Sequence, residues 1–425
     1  MMAPFVIPLI IAVGALVSHV FFGALHKPEQ VATQPLAVVT GWGLGGVGAW
    51  AIYAVTMACA GIAYWRAIVS ARERPAGDDT QTIPIRLATA VALVASLGFA
   101  FLLSSDVYAY AAYGAIVAGG ENPYVYRTFP PAHLVDDAWT RAIAFEWPSL
   151  PACVYGPAFL AIARTIVVVT QFDLAHTLLA LRILEMAAFI ALVAVVARAV
   201  PERGALLATV IGLNPVVIST VAEGHYDTLV ALAFALAVLV AQRRARLSGF
   251  LAGFTVLLKA TGAVAALALA YATRSSRMLL WALAGIVVAI GAQVVATQLA
   301  GGFQTVAPTD FVGSKWAAAA IAIRGVIALA LAIRVLRCVA RVERAAALAN
   351  AALVIWALYP QDYPWYGVWL LPLAAFTLER REGPVLIVLT FTSTLRYLSD
   401  AYGFAPAAPW LELGAFLIPL TGLVL

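Results

Sequence analysis

Along nearly its whole length the chain repeats one pattern: an apolar run, often of 18 residues or more, then a short polar connection, then another run. Such runs fall near residues 3–24, 39–64, 85–103, 177–197, 204–221, 227–241, 278–298, 317–336, 345–358, 366–378, 384–398 and 409–425, with a broken one at 248–272. A helix needs about 20 apolar residues to cross the hydrocarbon core of a bilayer. In lipid every backbone polar group must be satisfied within the protein, which leaves helices or a closed barrel as spanning structures. The pattern therefore predicts an all-α fold, a polytopic transmembrane helix bundle of about 11–13 membrane helices.

Two segments depart from simple spans. Between 105 and 176 the apolar stretch "YGPAFLAIARTIVVVTQF" is short and carries Arg164, which fits a re-entrant or interfacial helix. The run at 248–272 is interrupted by "KATG" (Lys259 to Gly262) and reads as two short helices meeting partway across the membrane. Irregular backbone at membrane depth is tolerated only beside protein or a wet cavity, so both segments point to a cavity. Orientation follows from the arginines: "RAIVSARERPAGDDTQTIPIR", "RAVPERG", "QRRARLSG", "TRSSR", "RVLRCVARVER" and "LERREG" all read as cytoplasmic. The other polar segments then share the outer face: "SSDVYAYAAYGAIVAGGENPYVYR", "AEGHYDT", the loop from Gly301 to Trp316, and "YPQDYPWYGVW".

Composition narrows this further. Hydrophobic residues make up 64% and charged residues 11% of the chain, against about a quarter charged in soluble domains, so no water-soluble domain of useful size remains. The net charge of +5, from 26 basic and 21 acidic residues, sits in short inter-helix loops. It sets orientation, and without a basic helix or an aromatic-basic module it excludes nucleic acid as a partner. Cys59, Cys153 and Cys338 fall in a helix, an outer loop and an inner loop, a spacing that suggests neither a disulfide nor a metal site. The N-terminal apolar run lacks the basic start of a signal peptide and reads as a retained first helix.

Several residues carry candidate chemistry. Asp106 stands at the outer end of the third run, followed by Tyr108, Tyr110 and Tyr113 at helix-like spacing and by Asn122, Pro123 and Tyr124. A carboxylate there can accept a proton from a hydroxyl while rings stack on the apolar faces of a sugar. The alternative is a helix cap within an aromatic belt. Tyr155 opens "YGPAFL" after a polar loop that includes Arg127. Glu223, His225 and Asp227 crowd five residues between apolar helices, where they suit a divalent ion, a proton relay, a polar ligand or a wet turn. Lys259, one of three lysines, lies in the broken run and needs a counter-charge, supplied by an anionic ligand or by an acid such as Glu185 or Glu223. Arg182 and Glu185, at i, i+3, suit a mutual ion pair. Arg324 and Arg396 suit an outer-leaflet phosphate or snorkelling to headgroups. Asp362 and Trp365 lie in the densest aromatic cluster.

Taken in order, the acid of "SSDVYAYAAYGAIVAGGENPYVYR", then "VYGPAFL", "LNPVVISTVAEGHYD", the lysine of "LLKATG" and "DYPWYGVWLLPLAA" resemble polyprenyl-phosphate-sugar-dependent glycosyltransferases of the GT-C superfamily. The likeness is greatest to bacterial polyprenyl-phosphomannose-dependent α-mannosyltransferases and spans roughly residues 100–375. The resemblance implies an inverting transferase that moves a sugar, mannose by likeness, from a polyprenyl-phosphate donor to a hydroxyl of a glycan or glycolipid. Asp106 would be the general base. Tyr108, Tyr110, Asn122, Tyr124, Tyr155, His225, Asp227, Asp362 and Trp365 would contact the acceptor or sugar, and Lys259, Arg127, Arg324 and Arg396 the donor phosphate. Gly224, His225, Tyr226 and Asp227 align with a Gly-His-Asn-Asp-like motif in which Tyr226 replaces a polar residue, and Lys259 precedes Ala260 where the family has proline. Asp106 follows three helices instead of one, which implies two additional N-terminal helices.

The expected organisation is a single membrane domain over 1–425. It comprises two N-terminal helices with a cytoplasmic loop (1–84), a catalytic module (85–272) with its outer loop at 105–176, and C-terminal helices (273–425) completing the cavity. The expected partners are the lipid-linked donor, the acceptor and the bilayer. The expected location is the bacterial inner membrane with the site facing the periplasm or exterior. No cofactor is expected, a divalent ion being left open. The rival reading is a proton-coupled secondary transporter with a relay through Glu223, His225, Asp227 and Lys259.

Overall fold

The computed structural model describes residues 3–22, 45–75, 80–99, 102–125, 129–147, 150–241, 243–302, 315–358, 363–398 and 408–424. Their regular structure is helical, as the apolar runs require. Helix α1 (Ala3–Phe22) packs along α2 (Gly45–Arg72) and α3 (Thr82–Ser96). After α3 come α4 (Asp106–Ala118), α5 (Asp137–Glu146) and α6 (Pro157–Val169), with α4 lying against α6. Helix α7 (Leu174–Ala199) leads to α8 (Gly204–Gly212) and α9 (Pro215–Ala222), and packs along α10 (Asp227–Ala241). Helix α11 (Ala245–Phe254) is followed by α12 (Thr261–Thr273) and packs closely on α13 (Ser276–Leu299). The C-terminal part comprises α14 (Lys315–Ala340), α15 (Arg344–Leu358), α16 (Gly367–Phe376), α17 (Glu382–Thr392) and α18 (Ala408–Val424).

Four described helical stretches are long and apolar enough to cross a membrane alone: Trp50–Arg72, Leu174–Ala199, Ser276–Leu299 and Ala318–Ala340. The bent pair Pro201–Gly212 and Pro215–Ala222 makes a fifth. The outer faces of α13 and α14 carry large exposed apolar side chains such as Val287, Leu299, Val326 and Leu336. An apolar surface of that extent belongs in lipid, and the protein is an integral membrane protein.

Three of the apolar runs differ in detail from single spans. The run at 85–103 ends early: α3 stops at Ser96, and Asp106 opens the next helix instead of closing this one. That next helix is buried, with Tyr108, Tyr110 and Tyr113 packed inside the protein, so the tyrosines do not form an exposed platform. The run at 204–221 bends by 62°. The cause is local: the Asn214 carbonyl oxygen Oδ1 accepts the Val217 amide at 3.0 Å and Pro215 occupies the first turn, an N-cap arrangement that starts a new helix. The run at 248–272 is broken as its sequence suggests. Helix α11 ends at Phe254, a single 3₁₀ turn covers Thr255–Leu257, and Lys259 lies in the gap before α12.

The arginine-bearing loops gather at one end of the bundle. Arg380 pairs with Glu343 at 2.8 Å, Arg344 donates to the Ala272 carbonyl at 3.0 Å, and Arg72 stands 3.9 Å from Glu379. Helix α10 runs toward this end, toward Arg243 and Arg244, from Asp227 at the other.

Candidate active site

Three interruptions of helical structure meet around the start of α4: the turn 223–226 between α9 and α10, the gap at 258–260, and the segment 363–366 before α16. Asp106 lies in the first turn of α4, where exposed amides favour a carboxylate. The Trp147 indole N–H donates to the Ser105 carbonyl at 2.9 Å and pins this helix start. The Asp106 side chain is 22% exposed, and its Oδ2 accepts from the Tyr110 hydroxyl at 3.4 Å. Tyr155 in turn donates to Tyr110 at 3.2 Å.

Facing Asp106 is His225, whose side chain is 2% exposed. Its Nδ1 stands 3.6 Å from Asp106 Oδ2 and its Nε2 3.5 Å from Glu223 Oε2. These are ion-pair separations, longer than close hydrogen bonds. The turn that presents His225 depends on Gly224, which has φ +90°, a left-handed conformation disfavoured for side chains with a Cβ. A Cβ there would also come within 3.1 Å of Val107 and Arg182. Burial in this turn pulls His225 toward neutrality, but the Asp106 and Glu223 carboxylates on its two sides outweigh burial and raise its pKa above the ordinary imidazole value. Tyr397 donates to Glu223 at 3.5 Å.

Asp227, two residues beyond His225, belongs to a different group. It is almost fully buried and takes both of its oxygens to Lys259 Nζ, at 3.0 and 2.8 Å, while Trp369 Nε1 donates to its Oδ1 at 2.9 Å. Lys259 thus finds its counter-charge in Asp227, not in Glu185 or Glu223. Its ammonium also lies over the rings of Tyr366, at 4.9 Å, and Tyr155, at 5.5 Å. Arg182 and Glu185 likewise find separate partners, the Ala222 carbonyl and the Leu229 amide. Glu223, His225 and Asp227 therefore do not converge on one point, and no group of three His, Cys, Asp or Glu among the described residues is arranged to hold a metal ion.

Trp365 is sandwiched: His225 stacks on it at 3.9 Å and 13°, and Tyr363 at 4.1 Å and 9°. Arg396 lies over Tyr363 at 4.8 Å and donates to its hydroxyl at 3.2 Å. Arg396 and Arg324 share one carboxylate, Glu412; Arg324 stands 3.8 Å from it and also donates to the carbonyls of Trp356 and Ala357. Asn122 and Tyr124 bond locally: Asn122 accepts the Tyr124 amide at 2.9 Å and donates to the Gly302 carbonyl at 2.8 Å. Tyr108 is buried in α4. Arg127 and Asp362 lie outside the described residues.

Sequence reasoning did not single out Tyr363, Trp369, Tyr397 or Glu412. Glu412 had a usable signal, since a lone acid inside the last apolar run demands a cationic partner.

No curated protein and no solved structure matches the chain. Residues 5–275, well over half of the chain, match the MptA_B family, described as alpha-(1->6)-mannopyranosyltransferase, N-terminal domain. With an all-helical membrane bundle carrying a buried cluster of acids, a histidine and a lysine at its helix breaks, the chain belongs to this family of mannosyltransferases.

Proposed function

We propose that this protein transfers mannose from a polyprenyl-phosphate donor to a hydroxyl of a glycan or glycolipid at the outer face of a bacterial inner membrane, with Asp106 as the general base. The observation that carries the proposal is the contrast at the start of α4: Asp106 keeps a reachable carboxylate while every acid and base around it is buried or paired. In the reaction the acceptor oxygen attacks the anomeric carbon and its proton passes to Asp106. The bond from that carbon to the phosphate oxygen breaks on the opposite side, inverting β to α, and polyprenyl phosphate leaves. One base suffices: inverting glycosidases pair their base with an acid that protonates the leaving group, whereas a phosphate departs without separate protonation.

Positive charge for the leaving phosphate is available in two places. Lys259 is balanced by Asp227, so it serves a phosphate only by exchanging or sharing that partner. Arg324 and Arg396 stand together at Glu412 and place two guanidiniums side by side. The outward orientation is supported by the arginine loops gathered at the far end of the bundle.

The test is transfer of radiolabelled mannose from synthetic polyprenyl-phosphomannose in membranes carrying wild type or Asp106→Asn at matched expression. General-base assistance is worth roughly 10²–10⁴ in rate, so the variant is expected to lose at least about a hundredfold. Equal activity in the two overturns the assignment of the base. Transfer from another lipid-linked sugar, and none from this one, overturns the donor.

A further inference from the structure

His225 has the sequence signature of a sugar ligand, but its surroundings leave a sugar no place to reach it. Both ring nitrogens face carboxylates, Asp106 on one side and Glu223 on the other. One ring face lies flat on Trp365, which is backed by Tyr363 and then by the Arg396 guanidinium. The other elements packed here bring Tyr110 from α4, Arg182 from α7, bonded to the Ala222 carbonyl, and Tyr397, bonded to Glu223. Of the His225–Asp106 pair, Asp106 is the member open to a substrate, its side chain 22% exposed against 2% for His225.

We infer that His225 is a positioning residue: braced by Glu223 and by the Trp365–Tyr363–Arg396 column, it holds the Asp106 carboxylate in place and does not touch the sugar. The inference rests on Asp106 being the base. A protonated imidazole places its charge between the two carboxylates, at ion-pair separations of 3.6 and 3.5 Å, and that charge is favoured by the indole face. Because the carboxylates raise the pKa of His225, the charged form is present through the ordinary imidazole range and is lost as pH climbs through the raised value. The bracing therefore weakens on the alkaline side.

The experiment uses the full chain in liposomes, with polyprenyl-phosphomannose as donor and octyl α-mannoside as acceptor, and measures kcat and acceptor KM across pH. His225→Gln is expected to lower kcat roughly 10–100-fold, the scale of a misplaced catalytic group, with KM within about twofold and with the alkaline limb of the profile abolished. Trp365→Leu is expected to act in the same direction, and Trp365→Phe to restore most of the loss. A tenfold rise in acceptor KM at near-normal kcat would make His225 a sugar ligand and overturn the inference. So would an unchanged pH profile per folded molecule, which marks a merely structural residue. Asp106→Asn run alongside separates the two failures: if it stays active, the base assignment falls first. A readout independent of turnover is the tryptophan emission of wild type minus that of Trp365→Phe. It should titrate with pH in the intact protein and lose that step in His225→Gln. Persistence of the step there would equally overturn the inference.

Discussion

Asp227 and Lys259 illustrate how much a buried charge depends on its partner. Asp227 is 1% and Lys259 11% exposed at the side chain, and the two meet at 2.8 Å. Removing one member of such a pair costs about 3–5 kcal/mol, because the other charge is left buried alone. Asp227→Asn is therefore expected to lower yield and thermal stability sharply. Adding Lys259→Met should recover a large part of that stability without restoring transfer, measured by thermal unfolding in detergent beside the transfer assay. If the double variant is no more stable than Asp227→Asn, the pair does not carry the energy assigned to it. The sequence made both residues visible as polar intruders among apolar runs. Their pairing was not visible, since 32 residues comprising α10, α11 and a 3₁₀ turn separate them and spacing on one helix says nothing about such contacts. The same limit hid the stacking of His225 on Trp365, whereas the acid at 106 stood out simply because it ends an apolar stretch.

Among elements, the breaks matter more than the helices. The start of α6 docks on the gap that holds Lys259: Gly156 N–H donates to the Leu258 carbonyl at 3.0 Å, and a Cβ on Gly156 would fall 1.9 Å from the Leu257 oxygen. Gly156→Ala is expected to push this contact apart, with the roughly 1–3 kcal/mol cost of overpacking and a fall in transfer rate as Lys259 shifts. Gly291→Ala, in α13, where nothing lies within 4 Å of the added methyl, is the control and should be neutral or slightly stabilising. Equal behaviour of the two variants would remove Gly156 from any role at the break. The gap at 258–260 was readable from "KATG" in an apolar run. The bend at Leu213–Asn214 carried a signal too, the Asn-Pro pair, but the flanking residues are so uniformly apolar that hydropathy ran straight across it.

At the scale of the whole molecule, hydropathy gave the class of fold and little of its arrangement, because apolar faces that meet helices and apolar faces that meet lipid have the same composition. Only packing distinguishes them. Val287, 67% exposed on α13, faces outward and far from the cluster around Asp106 in sequence. Val287→Arg is expected to cost about 2.5–3.5 kcal/mol in membrane insertion and to reduce the amount of inserted protein, with transfer per inserted molecule unchanged. A fall in specific activity at normal insertion would place Val287 against another surface. The cluster itself crosses a boundary of another sort. Asp106, Glu223, His225, Asp227 and Lys259 all precede residue 275, where the family match ends, while Tyr363, Trp365, Trp369, Arg396 and Tyr397 all follow it. A gene split in the Arg274–Arg277 turn would leave Asp106, Glu223, His225, Asp227 and Lys259 in one product and the Trp365–Tyr363–Arg396 column in the other. An exchange of C-terminal portions between relatives would therefore give His225 a new aromatic neighbour in place of Trp365 while leaving Asp106 and His225 themselves unaltered.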